Sequence, residues 1–190
     1  MKRLAIFASG NGSNAEQITT YFHRPGSDIR VELILTNKSD AYVLERAKKL
    51  GVSNRVFNRE EFYHSNEIVD LLREFQIDLV VLAGFLWLVP KNLIAAFPDR
   101  IVNIHPALLP KYGGKGMYGQ HVHEAVVANQ EKETGITIHL VNEIYDNGAI
   151  LHQEKCEVHP LDTPDQVAEK IHKLEYDYFP KAIEEYLPKI

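Results

Sequence analysis

The chain has 190 residues, of which 45% are hydrophobic and 25% charged, with a formal net charge of −5. That length suits one large domain, residues 1–190, able to bury roughly 70% of its unfolded surface. The acidic balance and scattered Lys and Arg argue against a nucleic-acid partner, and no apolar run approaches the ~18 residues of a membrane span.

The first apolar run, residues 4–8, is too short for a signal sequence and is broken at once by Gly10-Asn11-Gly12. It predicts a strand, as do 31–36, 52–57, 79–84 and 101–105, with helices predicted over 13–21, 41–50, 60–75 and 91–97. Strands apolar throughout and separated by helices predict an α/β, Rossmann-like doubly wound sheet, parallel in this half and covered on both faces. Asp40 is a candidate cap for the second helix. The turn Ser9-Gly10-Asn11-Gly12-Ser13-Asn14 joins the first strand to the first helix. Its glycines let the backbone approach a ligand, and the helix amino terminus offers free N–H groups to an anion. A dinucleotide fingerprint needs a third glycine, but position 15 is alanine, and no Gly-Lys-Ser/Thr follows to make a P-loop. A single phosphate, as on a sugar monophosphate, fits better; a plain turn with a helix cap would look the same.

Asn103-Ile104-His105-Pro106 closes the fifth strand. Residues two apart on a strand share a face, and the proline ends the strand, so Asn103 and His105 emerge together at its carboxyl end. An amide, an imidazole and a later carboxylate, Asp146, are the groups needed to hold an oxyanion and move a proton. Beyond them the glycine-rich segment 113–116 predicts a loop and 120–129 a helix. Residues 135–141 and 149–158 predict two strands joined by the loop 142–148, one of them antiparallel to the sheet. A last amphipathic helix is expected over 163–176, with Pro180 either breaking it or starting another. His121 and His123, two apart on a helix, do not share a face and make a poor metal pair. Cys156 is the only cysteine; it lies in a strand without an activating motif and fits a reducing cytoplasm.

Taken together, Ser9-Gly10-Asn11-Gly12-Ser13-Asn14, Leu82-Ala83-Gly84-Phe85, Asn103-Ile104-His105-Pro106-Ala107-Leu108-Leu109-Pro110 and Asp146-Asn147-Gly148 resemble the folate-dependent phosphoribosylglycinamide formyltransferases, over essentially the whole chain. The resemblance implies a formyltransferase fold whose amino-terminal half holds a nucleotide and whose carboxyl-terminal half holds folate and the catalytic loop. It implies transfer of a formyl group from 10-formyltetrahydrofolate to the amine of glycinamide ribonucleotide, with no metal. Asn103 and a protonated His105 would be oxyanion donors, and Asp146 would orient His105 and help carry the proton. Gly12, Ser13 and Asn14 would hold the phosphate. Glu175 would meet the ribose or glycinamide end, or else be a solvated helix glutamate. The pterin would lie against Phe85, Leu86, Trp87 and Leu88 and against Val141 to Asp146, next to Asn103. His139 would assist this site or be a satisfied core histidine.

The chain departs from the family pattern at Leu86-Trp87, where Met-Arg is usual, so an indole replaces a cation beside the folate. Arg59 matches a family arginine only across a gap. Two relatives sharing the Asn-x-His-Pro core remain as alternatives. Formyltetrahydrofolate hydrolase carries an extra amino-terminal domain, and methionyl-tRNA formyltransferase a carboxyl-terminal tRNA-binding one; neither is expected between a strand starting at residue 2 and the end at Ile190. A non-catalytic folate or nucleotide sensor needs no proton carrier, which the trio argues against. Oligomeric state stays open between monomer and homodimer.

Overall fold

The computed structural model describes residues 1–190. Its central strand, β1 (Lys2–Phe7), is apolar on both sides because both sides are covered. Leu4 and Ile6 point into one core cluster, and Ala5 and Phe7 into another. Parallel to β1 run β2 (Ile29–Thr36) on one side and β4 (Leu79–Leu82) on the other. Outside these lie β3 (Ser53–Val56) and β5 (Ile101–His105), also parallel. The sheet continues through β6 (Glu133–Leu140), antiparallel to β5, to β7 (Ile150–Glu157), antiparallel to β6. The order is β3-β2-β1-β4-β5-β6-β7, so β6 alone runs against the rest. This is the expected mixed, doubly wound sheet.

Four helices cover one face: α1 (Ser13–Phe22), α2 (Val43–Leu50), α6 (Gln120–Ala128) and α7 (Pro164–Tyr186). Their Ile18, Ala47, Val126 and Ile171 join a cluster of 30 buried residues. The other face carries α3 (Arg59–Tyr63), α4 (Glu67–Glu74) and α5 (Lys91–Ala96), whose Phe62, Leu72 and Leu93 join one of 16, so most of the core lies under the first group. No helix is long and apolar enough to cross a membrane. The chain winds one way from β1 to β3 and the other way from β4 onward. Between β1 and β4, at their carboxyl ends, the sheet has the switch point where α/β folds open a crevice.

Three elements differ from expectation, each for a local reason. The single helix expected over 60–75 is two, because Ser65 Oγ donates to the Glu61 carbonyl at 2.9 Å and accepts from the Glu67 N–H at 3.2 Å. Such side-chain bonds compete with the helical ladder. The helix expected to stop at 176 runs on through Pro180 to Tyr186. Proline inside a helix costs about 3 kcal/mol. Phe179 and Ile183 beside it are fully buried, and two such side chains contribute roughly 1.5–3 kcal/mol each, enough to carry the helix past the break. Asp40 does not cap α2, whose first N–H, on Val43, donates instead to the Gly10 carbonyl at 3.2 Å.

Candidate functional site

The α2–Gly10 contact fixes the first loop of the site. Gly12 adopts φ 75°, and a Cβ there would lie 2.3 Å from Val43 Cγ2, so glycine is required both by conformation and by the approach of α2. Arg46 of α2 secures the loop further. It donates from Nε to the Asn11 carbonyl at 2.9 Å and from Nη2 to Asn11 Oδ1 at 2.7 Å, and pairs with Glu16. Ser9 Oγ ties neighbouring strand ends together, donating to Asn37 Oδ1 at 2.7 Å and accepting the Leu86 N–H at 3.1 Å. The amino end of α1 has no side-chain cap, so its leading N–H groups stay available.

Facing this end is a cluster of polar groups with unmet hydrogen-bonding capacity. Asn14 Nδ2 donates to Glu175 Oε2 at 2.8 Å, while Asn14 Oδ1 is buried without a partner. Glu175 comes from α7 and is 7% exposed; burial pushes its carboxyl up to about 7, against the opposing hydrogen bond from Asn14. His172 lies three residues earlier on the same helix face, and burial holds its imidazole below the usual range. His123 of α6 is buried with Nδ1 unpartnered, and burial, then the neighbouring His172, push it down to about 4. The cluster is therefore poor in fixed charge: His123 and His172 can donate to an arriving anion, while Asn14 Oδ1 is left to accept from a ligand's hydroxyl or amine.

Asn103, His105 and Asp146 come from β5 and the loop that follows β6. Asn103 and His105 share one face of β5, opposite His139 and Thr137 of β6. Thr137 Oγ1 donates to the Ala107 carbonyl at 2.6 Å and accepts the Leu109 N–H at 3.0 Å, pinning the chain that leaves the strand. His139 Nδ1 donates to the Leu140 carbonyl at 2.8 Å, leaving Nε2 to accept from Asn103 Nδ2 at 3.1 Å. The amide of Asn103 is thus aimed by an imidazole whose tautomer is fixed. A register shift between Ile138 and His139 gives β7 an extra residue there, a bulge of the kind that re-aims side chains beside functional sites.

His105 Nε2 donates to the Tyr112 carbonyl at 2.7 Å, so its Nδ1 carries the lone pair in the neutral ring. That nitrogen lies 3.6 Å from Asp146 Oδ2. Asp146 Oδ1 is 3.6 Å from His139 Nε2, an electrostatic distance rather than a formed hydrogen bond, and Oδ2 accepts the Gly114 N–H at 2.8 Å. Burial pushes the Asp146 carboxyl up, but His139, His105 and the Gly114 N–H together outweigh it, and the net is below the usual carboxylate range. Burial pushes His105 down, more than Asp146 and the Tyr112 carbonyl raise it. Burial therefore favours the neutral ring of His105, with Nδ1 open to accept a proton, beside a carboxylate held toward its ionised form.

Every residue singled out from the sequence as a site residue, from Gly12 to Glu175, lines one cavity of about 640 Å³, within the usual range for a small-molecule site. At its far end Phe85, Leu86, Trp87 and Leu88 follow β4, with Val141 beside them. The Trp87 indole packs against Phe57, Phe62 and Tyr63 at centroid distances of 5.8–5.9 Å. Over it, at 4.9 Å, lies the guanidinium of Arg59, which has no carboxylate partner. Leu86-Trp87 thus does not leave this side without a cation: the indole carries one, outside the cavity wall. His121 is exposed and lies outside the cavity, while His123 lines it, so the two do not act together. Ser9, Arg46, His123 and His172 were not read from the sequence as site residues. Their partners lie 28 to 77 positions away, and only the His172–Glu175 spacing on α7 offered a local signal.

A family model described as formyl transferase matches residues 2–183. The chain is 45% identical over 186 residues to the chloroplastic phosphoribosylglycinamide formyltransferase of Arabidopsis thaliana, with 91% of this chain covered; it spans only 62% of that relative's length. It is 35% identical to the phosphoribosylglycinamide formyltransferase of Bacillus subtilis, covering 98% of this chain and 95% of the relative. The solved structure of phosphoribosylglycinamide formyltransferase from Streptococcus pneumoniae superimposes with a TM-score of 0.86 at 39% identity, over 97% of this chain and 98% of that one.

Proposed function

The chain belongs to the formyl transferase family, and on that premise we propose that it moves the formyl group of 10-formyltetrahydrofolate onto the primary amine of glycinamide ribonucleotide, a step of purine synthesis. The observation that carries this reading is that Asn103, His105 and Asp146 lie between an anion-ready helix end and an apolar, aromatic wall of one cavity. The substrate phosphate meets the α1 N–H groups and Ser13, with Asn14 and Glu175 toward the ribose and glycinamide. A dianion there raises the pKa of His123 and His172 and draws protons onto them. The pterin lies against the segment from Phe85 to Leu88 and against Val141. We take residues 1–190 to work as one unit on small molecules in the cytoplasm, as a monomer or homodimer, and without a nucleic acid. The lone Cys156 in β7 is consistent with that compartment.

As the amine nitrogen bonds to the formyl carbon, the nitrogen becomes cationic and the formyl oxygen anionic. Asn103 has two amide hydrogens; His139 takes one and the other is free for that oxyanion. Removing such a donor typically costs two to three orders of magnitude in rate. His105 Nδ1 accepts the proton shed by the amine, and Asp146, 3.6 Å away, stabilises the imidazolium. The imidazolium N–H then faces the intermediate as a second donor. When the carbon–N10 bond breaks, the proton passes to N10, leaving tetrahydrofolate and the N-formyl product, with His105 neutral again. No proton is gained or lost overall.

Turnover of 10-formyltetrahydrofolate with and without glycinamide ribonucleotide tests the reading. Tetrahydrofolate formation only with the nucleotide supports it; equal formation without it indicates a hydrolase, and binding without turnover a sensor. Replacing Ser13 and Asn14 by alanine should raise the nucleotide's apparent KM and leave that of the folate unchanged; an unchanged nucleotide KM removes them from the phosphate site.

A further inference from the structure

Two non-glycine residues at the site, Tyr112 and Asp146, have left-handed backbones, with φ 54° and 51°. For a bulky side chain that conformation is costly and persists only where the surroundings impose it. At Tyr112 the imposing contacts are visible. Its hydroxyl donates to Glu131 Oε1 at 2.9 Å, and Lys111 Nζ reaches both oxygens of the same carboxylate at 3.0 and 3.3 Å. Glu131 is itself fixed in the turn after α6, its N–H bonded to the Val126 carbonyl at 3.2 Å. Beside it Gly113 leaves no slack, since a Cβ there would lie 2.5 Å from Leu109 Cδ2 and 3.4 Å from Asp146 Cβ.

The left-handed turn delivers a carbonyl to one catalytic side chain and an N–H to the other. The Tyr112 carbonyl accepts from His105 Nε2 at 2.7 Å, and two residues on the Gly114 N–H binds Asp146 Oδ2 at 2.8 Å. Left to itself, a neutral imidazole beside a carboxylate would turn an N–H toward it, which would place the proton on Nδ1 and remove the lone pair that has to accept the amine proton. The Tyr112 carbonyl enforces the opposite tautomer, against the pull of Asp146.

We propose that Tyr112 and Glu131 form a latch that holds His105 in the Nε2–H tautomer, with Nδ1 poised as the base. Both are positioning residues that act through the loop backbone and touch no reacting atom. The tautomer claim stands on geometry; its kinetic consequence rests on the formyl-transfer reading. Lys111 completes the latch from the surface, where an exposed ion pair contributes little by itself.

The test is the tautomer of His105 in histidine-labelled protein, read from long-range proton–nitrogen correlations, together with steady-state kinetics. Wild type should show the Nε2–H form alone. Tyr112→Phe and Glu131→Ala should show a mixture with the Nδ1–H form. Their kcat should fall roughly tenfold or more, as expected when a general base is lost from part of the population, with both KM values within about twofold. Glu131→Gln keeps an oxygen for the Tyr112 hydroxyl and should restore most of kcat and the single tautomer. A Tyr112→Phe protein with only the Nε2–H tautomer, or with unchanged kcat, overturns the latch, as does Glu131→Gln behaving like Glu131→Ala. If one variant fails to fold, the tautomer in the other decides. Wild-type protein that does not formylate the nucleotide sinks the transferase reading, while the tautomer comparison still decides the latch.

Discussion

Asp146 is the residue on which the site's electrostatics converge. It accepts from the Gly114 N–H and lies 3.6 Å from both His105 and His139. Asp146→Asn keeps an acceptor for Gly114 but no charge for the imidazolium, so kcat should fall about 10²- to 10⁴-fold while both substrates still bind; steady-state kinetics checks this, and near-wild-type turnover contradicts it. Glu175 offers a different test. With its carboxyl pushed up to about 7, the folded protein keeps a proton that the unfolded chain releases near pH 4.3. That contribution is complete below the unfolded value and is lost as pH rises through about 7. Glu175→Gln retains an acceptor for Asn14 and escapes the loss. Denaturant melts should find it more stable than wild type at pH 8, by on the order of 2–3 kcal/mol, and indistinguishable at pH 4. An equal difference at both pH values contradicts the buried, protonated carboxyl. His123 has the opposite sign: pushed down to about 4, it contributes stability above its unfolded value near 6.5 that is lost as pH falls through about 4. Asn103 and His105 were legible because strand periodicity alone puts them on one face. His123 was not, because its meaning depends on α6 packing against α7, forty-nine residues away at His172, and neither segment encodes that approach.

At the scale of elements, the site is a set of loops whose reach is fixed by backbone contacts. Asp146 rides on the β6–β7 loop, closed at Gly148, where a Cβ would lie 1.6 Å from the Leu140 carbonyl oxygen. Gly148→Ala must displace that backbone, and we expect a stability loss of about 2–3 kcal/mol together with a lower kcat, measured by melting and by initial rates; an unaltered variant contradicts the closure. At the end of the cavity proposed for the folate, the loop after β4 presents Trp87 under Arg59. Trp87→Ala removes the indole from the wall proposed to hold the pterin and should raise the KM of the folate roughly three- to thirtyfold, as for about 0.6–2 kcal/mol of lost apolar burial, and leave the nucleotide's KM alone; a change in the nucleotide's KM instead contradicts that placement. The glycine loop and the paired strands around 142–148 were legible because turn chemistry and periodicity are local. The break at Ser65 and the passage of α7 through Pro180 were not. The first is decided by one hydroxyl choosing backbone partners, the second by tertiary burial of Phe179 and Ile183 overriding a local stop signal.

For the molecule as a whole, the sheet order brings the two proposed substrate sites together. Winding outward from β1 in opposite directions sets the anion-ready end of α1 beside the carboxyl ends of β4 and β5. The reversed strand β6 then returns His139 to Asn103 and lets the following loop carry Asp146 to His105. Alternating strands and helices made the doubly wound class legible, whereas the exact juxtaposition of β5 and β6 side chains depends on register. The central claim is that this juxtaposition hands the formyl group from one bound substrate to the amine of the other. Supplying 10-formyltetrahydrofolate labelled with carbon-13 in the formyl group, together with glycinamide ribonucleotide, and following the label by NMR tests it most directly. The account predicts that the label appears as a formamide on the nucleotide's amine, at a rate that collapses in Asp146→Asn. Label released as free formate, or label left on the folate, would contradict it.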